Sequence, residues 1–294
     1  MKCAICKNKK FELIANRLRD SDRHKVVKCN KCHLIQLSPL PSIEDDKKFY
    51  NKNRQSKNIG GPIDIKVIKK NSADDTARRA DFVSQSISKN STIIDIGSGY
   101  GFFINEMDKR GFNIIGVEIS KQRREISRKV TTVRVLDTDI YKSKSLLENK
   151  KVDCITLFHV LEHISNPIKF LKTLRMYLKQ NGKAIIEVPN VNDLMLKSNK
   201  AYYDFYWQRA HLLYFSSDTL IKIIKKAGFP KYKVCFKQRY GIENFMNWHI
   251  HNKPQIDKPS YHTIGNYKWL EDFYKNYLIN SGKADTLIVV ATNK

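Results

Sequence analysis

Two sets of residues carry the chemistry of this chain: thiols paired near its start, and glycines set against a carboxylate near its middle. Cys3-x-x-Cys6 and Cys29-x-x-Cys32 are two knuckles separated by residues 7–28. Thiols two residues apart point their sulfurs the same way, and two such pairs fill a tetrahedral Zn²⁺ site with no open position. An ion held that way is structural. Disulfide pairing is the other reading of the same residues, and a reducing compartment disfavours it. Cys154 and Cys235 lie in apolar, strand-like contexts and are expected to be inert buried thiols.

The glycine set follows the apolar run Thr92-Ile93-Ile94-Asp95-Ile96, which breaks into Gly97-Ser98-Gly99-Tyr100-Gly101. Glycine lacks a Cβ, so this turn can take positive φ and bring backbone against a ligand, while the next helix offers unpaired N–H groups. Phe103, Ile104 and Met107 fit the inward stripe of a helix that ends at Gly111. Asn113-Ile114-Ile115-Gly116-Val117 then reads as a second buried strand closed by Glu118. A carboxylate there accepts hydrogen bonds from vicinal ribose hydroxyls, so the βαβ unit is read as a site for a ribose-containing ligand. A dinucleotide fingerprint needs glycine at position 102, which is Phe102.

Further elements follow in order. Lys151 to Phe158 suits a central parallel strand buried on both faces, and it runs into His159-Val160-Leu161-Glu162-His163. Asn166 or Ser165 caps a helix with Pro167 at its first position; Ile168, Leu171, Leu174 and Leu178 give it an inner face, and Gly182 is expected to stop it. A strand from Lys183 to Asn190 comes next, then a helix from Ser217 to Ala227 capped by Gly228, and a last strand from Asp285 to Thr292.

The pattern D-x-G-x-G-x-G, the acidic strand tip, Leu161-Glu162-His163 and Pro189-Asn190 together resemble the class I S-adenosylmethionine-dependent methyltransferases over roughly positions 76–190. The resemblance implies an α/β fold: a Rossmann-like, seven-stranded, mostly parallel sheet whose last strand is antiparallel. It implies that Gly97, Ser98, Gly99 and Gly101 lie against the methionine part of the cofactor, with Asp95 steadying the glycine turn by accepting its hydrogen bonds. Glu118 would meet the ribose and Asp139 the adenine, and Ile119, Ile140 and His159 would border the cofactor. The stretch His33-Leu34-Ile35-Gln36-Leu37-Ser38-Pro39-Leu40-Pro41-Ser42, with Asp45, Asp46, Phe49 and Tyr50, is similar to the zinc ribbon and lead-in of bacterial methyltransferases acting on sugars in polysaccharide and antibiotic pathways. The domain organisation expected is a zinc ribbon over 1–42, a linker over 43–75, and a methyltransferase domain over 76–294 whose residues 191–285 are substrate-side elements.

Methyl transfer from a sulfonium is an in-line displacement, so the protein has to align the acceptor and accept a proton. His211, in Trp207-Gln208-Arg209-Ala210-His211-Leu212-Leu213-Tyr214-Phe215-Ser216, is the first candidate general base; capping the helix at Ser216 is its bland alternative. In related sugar C-methyltransferases a Glu-His pair stands here. Ala210 takes the Glu position, which favours an oxygen acceptor. His163 and His159 are secondary candidates. Tyr202, Tyr203, Tyr206 and Trp207 would stack on a substrate or pack a lid, and Tyr240 to His251 is assigned to a substrate-side insertion.

Lys and Arg number 54 against 29 Asp and Glu in 294 residues, a formal charge of +25. The excess is spread over the chain rather than gathered in one stripe, which suits attraction for anionic small molecules such as nucleotide sugars. An RNA methyltransferase using the ribbon and the basic surface is the alternative, and a non-enzymatic assembly module the third. The chain opens Met1-Lys2-Cys3 with no apolar leader and contains no run of membrane-spanning length, so a cytoplasmic setting is expected.

Overall fold

The protein is described by a computed structural model covering residues 1–41, 64–138, 151–254 and 267–294. Asp139 and Ile140, like Asp45, Asp46, Phe49 and Tyr50 of the lead-in, lie outside the described residues.

The large sheet has seven strands in the order β10-β11-β8-β7-β4-β5-β6. These are β4 (Thr92–Ile96), β5 (Asn113–Val117), β6 (Val135–Leu136), β7 (Val152–Phe158), β8 (Leu178–Pro189), β10 (Lys231–Lys237) and β11 (Thr286–Thr292). Pairing is parallel from β6 to β8, while β11 runs antiparallel to both β8 and β10, as expected of the last strand. Ile93, Ile94, Ile155, Leu157, Ile185 and Ile186 are fully buried, because helices cover both faces of parallel strands.

Helix α1 (Ile65–Ser86) begins with the Asp64 side chain accepting from the Lys66 amide at 2.8 Å, and α2 (Phe102–Lys109) buries Phe103, Ile104 and Met107. Helix α1 starts inside the stretch expected to be linker, so the boundary drawn at 76 cuts a continuous helix. Helix α3 (Lys121–Val130) follows β5, and α4 (Pro167–Met176) follows β7 with Asn166 as its cap. Helix α4 stops well before Gly182. Leu178 pairs with Val152 at the start of β8, so strand burial overrides the helical spacing that had assigned it to α4. Gly182 instead lies within β8 and accepts a hydrogen bond from the Asn293 amide at 2.8 Å.

The ribbon contributes β1 (Phe11–Ala15), β2 (Lys25–Cys29) and β3 (Ile35–Ser38). They form a four-stranded antiparallel sheet with β9 (Leu213–Tyr214), a strand of the large domain that comes two residues after His211. Ile35 pairs with Tyr214, Gln36 with Leu213, and the Leu37 amide donates to the Leu212 carbonyl at 3.0 Å. The junction is dense elsewhere. The Arg19 amide donates to the Trp207 carbonyl at 2.9 Å, the Arg209 amide to Asp20 at 2.8 Å, and the Tyr203 hydroxyl to the Ile14 carbonyl at 2.7 Å. Two short helices, α5 (Met195–Ser198) and α6 (Lys200–Tyr206), lead into this segment, and α7 (Ser217–Lys226), α8 (Ile242–His251) and α9 (Lys268–Asn280) complete the fold.

Leu37 is fully buried at this junction. Leu37→Ala is expected to cost about 2–5 kcal/mol by removing buried methyl groups and leaving a cavity. Hydrogen exchange should show faster amide exchange over residues 35–37 and 212–214 with little change in β4 and β7; uniform acceleration would show that the ribbon and the large sheet open together.

Candidate active site

The glycine turn leaves β4 at the carboxyl end of the parallel strands, where α/β folds seat ligands. Gly97, Gly99 and Gly101 have φ of 76°, 58° and 84°, so each occupies the left-handed region. Their surroundings differ in a telling way. A Cβ on Gly97 would meet Val160 Cγ2 at 2.6 Å and one on Gly101 would meet Ser127 Cβ at 3.0 Å, whereas one on Gly99 would find nothing nearer than 3.9 Å. Gly97 and Gly101 are small because the protein crowds them. Space is left open only over Gly99.

Glu118 faces this turn. Its Oε2 accepts from the Gly99 amide at 3.0 Å and its Oε1 from the Ser120 amide at 2.8 Å. A carboxylate has about four lone-pair positions, so two hydroxyls can join these bonds. The open space over Gly99 and this remaining acceptor capacity fit a ribose-bearing cofactor. Ile119 is 65% exposed beside it, an apolar face for a flat ring to cover. Ser98 contributes backbone only: its hydroxyl lies buried over Gly116, where a Cβ would come within 2.6 Å of it.

Asp95 does not accept from the glycine turn as expected. It is buried in the sheet, and its Oδ1 takes the Thr156 hydroxyl at 2.6 Å. Burial pushes its pKa up to about 7, with the Glu118 charge adding to the rise.

Beyond β7 the chain turns sharply at His159, whose φ is 56°, into a 3₁₀ turn over Leu161–His163. His159 sits between two carboxylates, with Nδ1 3.1 Å from Glu162 Oε1 and Nε2 3.4 Å from Glu187 Oε1. Burial alone would lower its pKa; the two carboxylates outweigh that and raise it. Glu187 also accepts from Arg78 at 2.8 Å and Arg79 at 2.6 Å, and Arg78 and Arg239 both pair with Asp75. Burial would raise the Glu187 pKa, but His159 and the two arginines hold it well below the ordinary range. His159 thus belongs to an ion network at the strand ends. Sequence reasoning missed Asp75, Arg78, Arg79, Glu187 and Arg239; a lone glutamate inside the apolar run Ala184 to Val188 was the available signal, since a buried charge demands partners.

The structure brings the other two histidines together. His163 and His211 stack edge to face with centroids 5.1 Å apart, and Glu162 joins them, one donor atom from each of the three lying within 4.8 Å of the others. The segment carrying His211 is tied to the 3₁₀ turn by the Leu212 amide donating to the Glu162 carbonyl at 2.8 Å and by His163 Nδ1 donating to the Ala210 carbonyl at 2.6 Å. His211 does not cap α7; Ser216 and Thr219 form that capping box themselves. Burial and the neighbouring His163 lower the His211 pKa to about 3, so the ring is neutral.

The aromatic residues preceding His211 are structural. Trp207 is 2% exposed and packs on Tyr203, Tyr206 and Tyr214, and Tyr202 donates its hydroxyl to Asp193 at 2.8 Å. Within the ribbon the four cysteine sulfurs converge within 4.8 Å, with Cys3 to Cys32 at 3.4 Å and Cys6 to Cys29 at 3.5 Å. This donor set suits a closed tetrahedral ion.

The raised Asp95 pKa has a pH signature. Between the ordinary carboxylate value of 3.8 and about 7 the folded state holds a proton that the unfolded state has lost, so stability falls as pH rises through that window. Asp95→Asn keeps an acceptor for Thr156 and should flatten that slope; denaturant melts from pH 4 to 8 that keep the same slope would assign it to another group.

The family described as a methyltransferase domain matches residues 68–234, more than half of the chain. Among curated relatives, a ubiquinone biosynthesis O-methyltransferase of Pelagibacter ubique (strain HTCC1062) is 30% identical over 132 residues, covering 44% of this chain and 53% of that protein. A protein of the same name from Glaesserella parasuis serovar 5 is 21% identical over 54% of this chain and 68% of its own length. The chain spans about half the length of the first curated relatives it matches. Among solved structures, a SAM-dependent methyltransferase from Archaeoglobus fulgidus aligns with a TM-score of 0.51 at 18% identity over 74% of this chain and 92% of that one. The plantazolicin methyltransferase BpumL, solved with a pentazolic desmethylPZN analogue and SAH, aligns with a TM-score of 0.52 at 14% identity over 84% of this chain and 94% of that one. With the matched region running from within α1 into β10, and the fold shared with these enzymes, the chain belongs to the methyltransferase-domain family and has the Rossmann-like fold of the S-adenosylmethionine-dependent methyltransferases.

Proposed function

We propose that this chain transfers the methyl group of S-adenosylmethionine to a hydroxyl of a small molecule. The observation that carries this is the pairing of the open backbone over Gly99 with Glu118, a carboxylate aimed at the same turn. When bound, the cofactor supplies an electrophilic methyl on sulfur. Gly97, Gly99 and Gly101 would hold its methionine part by backbone contact, Glu118 its ribose hydroxyls, and Ile119 one face of the base. A non-catalytic assembly module has no use for backbone left open over Gly99 beside a carboxylate with acceptor positions to spare.

On the acceptor side, His211 and His163 present imidazoles beside Glu162. His211 is the proposed proton acceptor: it is neutral, half-buried, and placed next to a carboxylate that would stabilise the imidazolium formed as the hydroxyl loses its proton. Its low basicity in the free protein has to rise as the substrate approaches. His163 and Glu162 position it rather than react. An oxygen acceptor agrees with the names of the relatives, and a nucleotide-linked sugar remains the acceptor proposed from the ribbon and the basic charge. The ribbon is proposed to hold Zn²⁺ through Cys3, Cys6, Cys29 and Cys32, and to act as a buttress for the His211 segment.

Glu118→Ala removes a charged acceptor, an interaction worth about 1.5–3 kcal/mol, so calorimetry should show S-adenosylmethionine binding at least about tenfold weaker. A labelled-methyl screen over nucleotide sugars, phenolic hydroxyl compounds and RNA is expected to place label on a small-molecule oxygen together with S-adenosylhomocysteine; label recovered only in RNA would overturn the acceptor class. Cys32→Ser, checked for zinc loss by metal analysis, is expected to lower methyl transfer while leaving cofactor binding near the wild-type level. Loss of both would show that the ribbon supports the whole domain rather than the acceptor side.

A further inference from the structure

The cluster of Glu162, His163 and His211 has features that a proton relay does not require. Glu162 is 1% exposed, and while its Oε1 is engaged by His159, its Oε2 is buried with no hydrogen-bond partner among the described residues. A buried carboxylate oxygen left without a partner is rare, because desolvating it costs free energy that nothing returns. The oxygen belongs to a group whose other donors are imidazole nitrogens. His163 is further prepared: the Ala210 carbonyl can only accept, so Nδ1 carries the proton and the lone pair is on Nε2. Metal-bound histidines are oriented by just such a bond from the second nitrogen to a carbonyl. The scaffold is also fixed, since the 3₁₀ turn and the His211 segment are bonded to each other and the latter is paired to the ribbon through β9.

We propose that Glu162, His163 and His211 form a second metal site that binds a divalent first-row transition ion and leaves coordination positions free on the acceptor side. Two imidazoles and one carboxylate suit Mn²⁺, Fe²⁺, Co²⁺ or Zn²⁺ better than Mg²⁺ or Ca²⁺, which prefer oxygen throughout. Donors on one ion at about 2.1 Å stand about 3 Å apart, so the present spread of up to 4.8 Å closes by side-chain rotation of about an ångström. Gln208 is the group displaced. Its Nε2 lies 3.1 Å from His211 Nε2 and 3.3 Å from Nδ1, and its Oε1 already takes Arg19 at 2.6 Å. The use of such an ion, to hold the acceptor oxygen and ease loss of its proton in place of the His211 base, rests on the methyl-transfer reading; its binding does not.

The test is a titration of the full-length, zinc-loaded protein with Mn²⁺, followed by loss of the free-ion electron paramagnetic resonance signal, because Mn²⁺ competes poorly for a four-thiolate site. One ion per chain is expected, with affinity falling at least about tenfold in both His211→Asn and Glu162→Gln. His211 is half-buried, so its variant tests the site even if loss of the Glu162 charge prevents folding. S-adenosylmethionine binding by calorimetry should be unchanged in the His211 variant. Absence of a bound ion beyond the ribbon's, for both Mn²⁺ and Co²⁺, overturns the proposal, as does uptake that His211→Asn leaves unaltered. A protein that binds Mn²⁺ at these residues yet transfers no methyl keeps the site and removes the activity; one that transfers methyl without the ion does the reverse.

Discussion

The pairing of β3 with β9 is the constraint on which the placement of the His211 segment depends. A strand of two residues cannot hold itself in place, and among the described residues β3 is the strand paired with β9, with the Asn190–Phe215 bridge just beyond it. Its neighbours in sequence, Ala210 to Leu212, carry His211 and reach the 3₁₀ turn after β7 by hydrogen bonds from both directions. The His211 segment is therefore clamped between the ribbon on one side and the large sheet on the other. The ribbon in turn is too small to bury a core of its own, and its knuckles are joined to β3 by Gln36, which is fully buried and accepts the Ala4 amide at 3.0 Å. Cysteine sulfurs, Gln36, β3, β9 and His211 form one mechanical series.

A second constraint fixes the opposite wall. Glu187 lies fully buried near the end of β8, and such a charge is tolerated only because Arg78, Arg79 and His159 surround it. Breaking one partner of a buried pair costs about 3–5 kcal/mol, since the other charge is left stranded. The network crosses elements far apart in sequence: α1 supplies Asp75 and both arginines, β8 supplies Glu187, and Arg239 follows β10. It locks α1 over the ends of the strands. His159 links it to Glu162, so the acceptor cluster and the ion network share one carboxylate-flanked imidazole.

The glycine turn and the carboxylate facing it were legible in the sequence because each part is local. An apolar run, glycines at alternate positions and a carboxylate at the next strand tip are all set within 27 residues of chain, Thr92 to Glu118, and the structure places them as that spacing required. Helix ends were less legible where two periods compete: Leu178 satisfies the spacing of α4 and the pleat of β8, and only pairing with Val152 decides. The domain boundary at 76 falls inside α1 for another reason. Residues 64–75 include Ile65, Val67 and Ile68, but Ala80 and Val83 alone are buried on this helix, so its apolar residues draw no clear inward stripe from which a start could be read. Arg78, Arg79 and Arg239 were invisible for a different reason: surface arginines abound in a chain of this charge, and only the fold shows which ones meet a buried carboxylate.

The same limit bears on the choice of acceptor atom. Read along the chain, Ala210 stands where a glutamate would partner His211, and its absence argues for oxygen over carbon. In space the partner is present. Glu162 comes from the turn after β7, more than forty residues earlier, and brings a carboxylate oxygen within 4.8 Å of both the His163 and His211 donor atoms. A carboxylate near a base orients it and stabilises its charge wherever in the sequence it originates. The alanine at 210 therefore says nothing against proton abstraction from carbon, and what it contributes to the cluster is its carbonyl, which accepts from His163. That bond fixes the tautomer of His163, and the carboxylate that the sequence pattern places at 210 reaches the cluster from Glu162 instead.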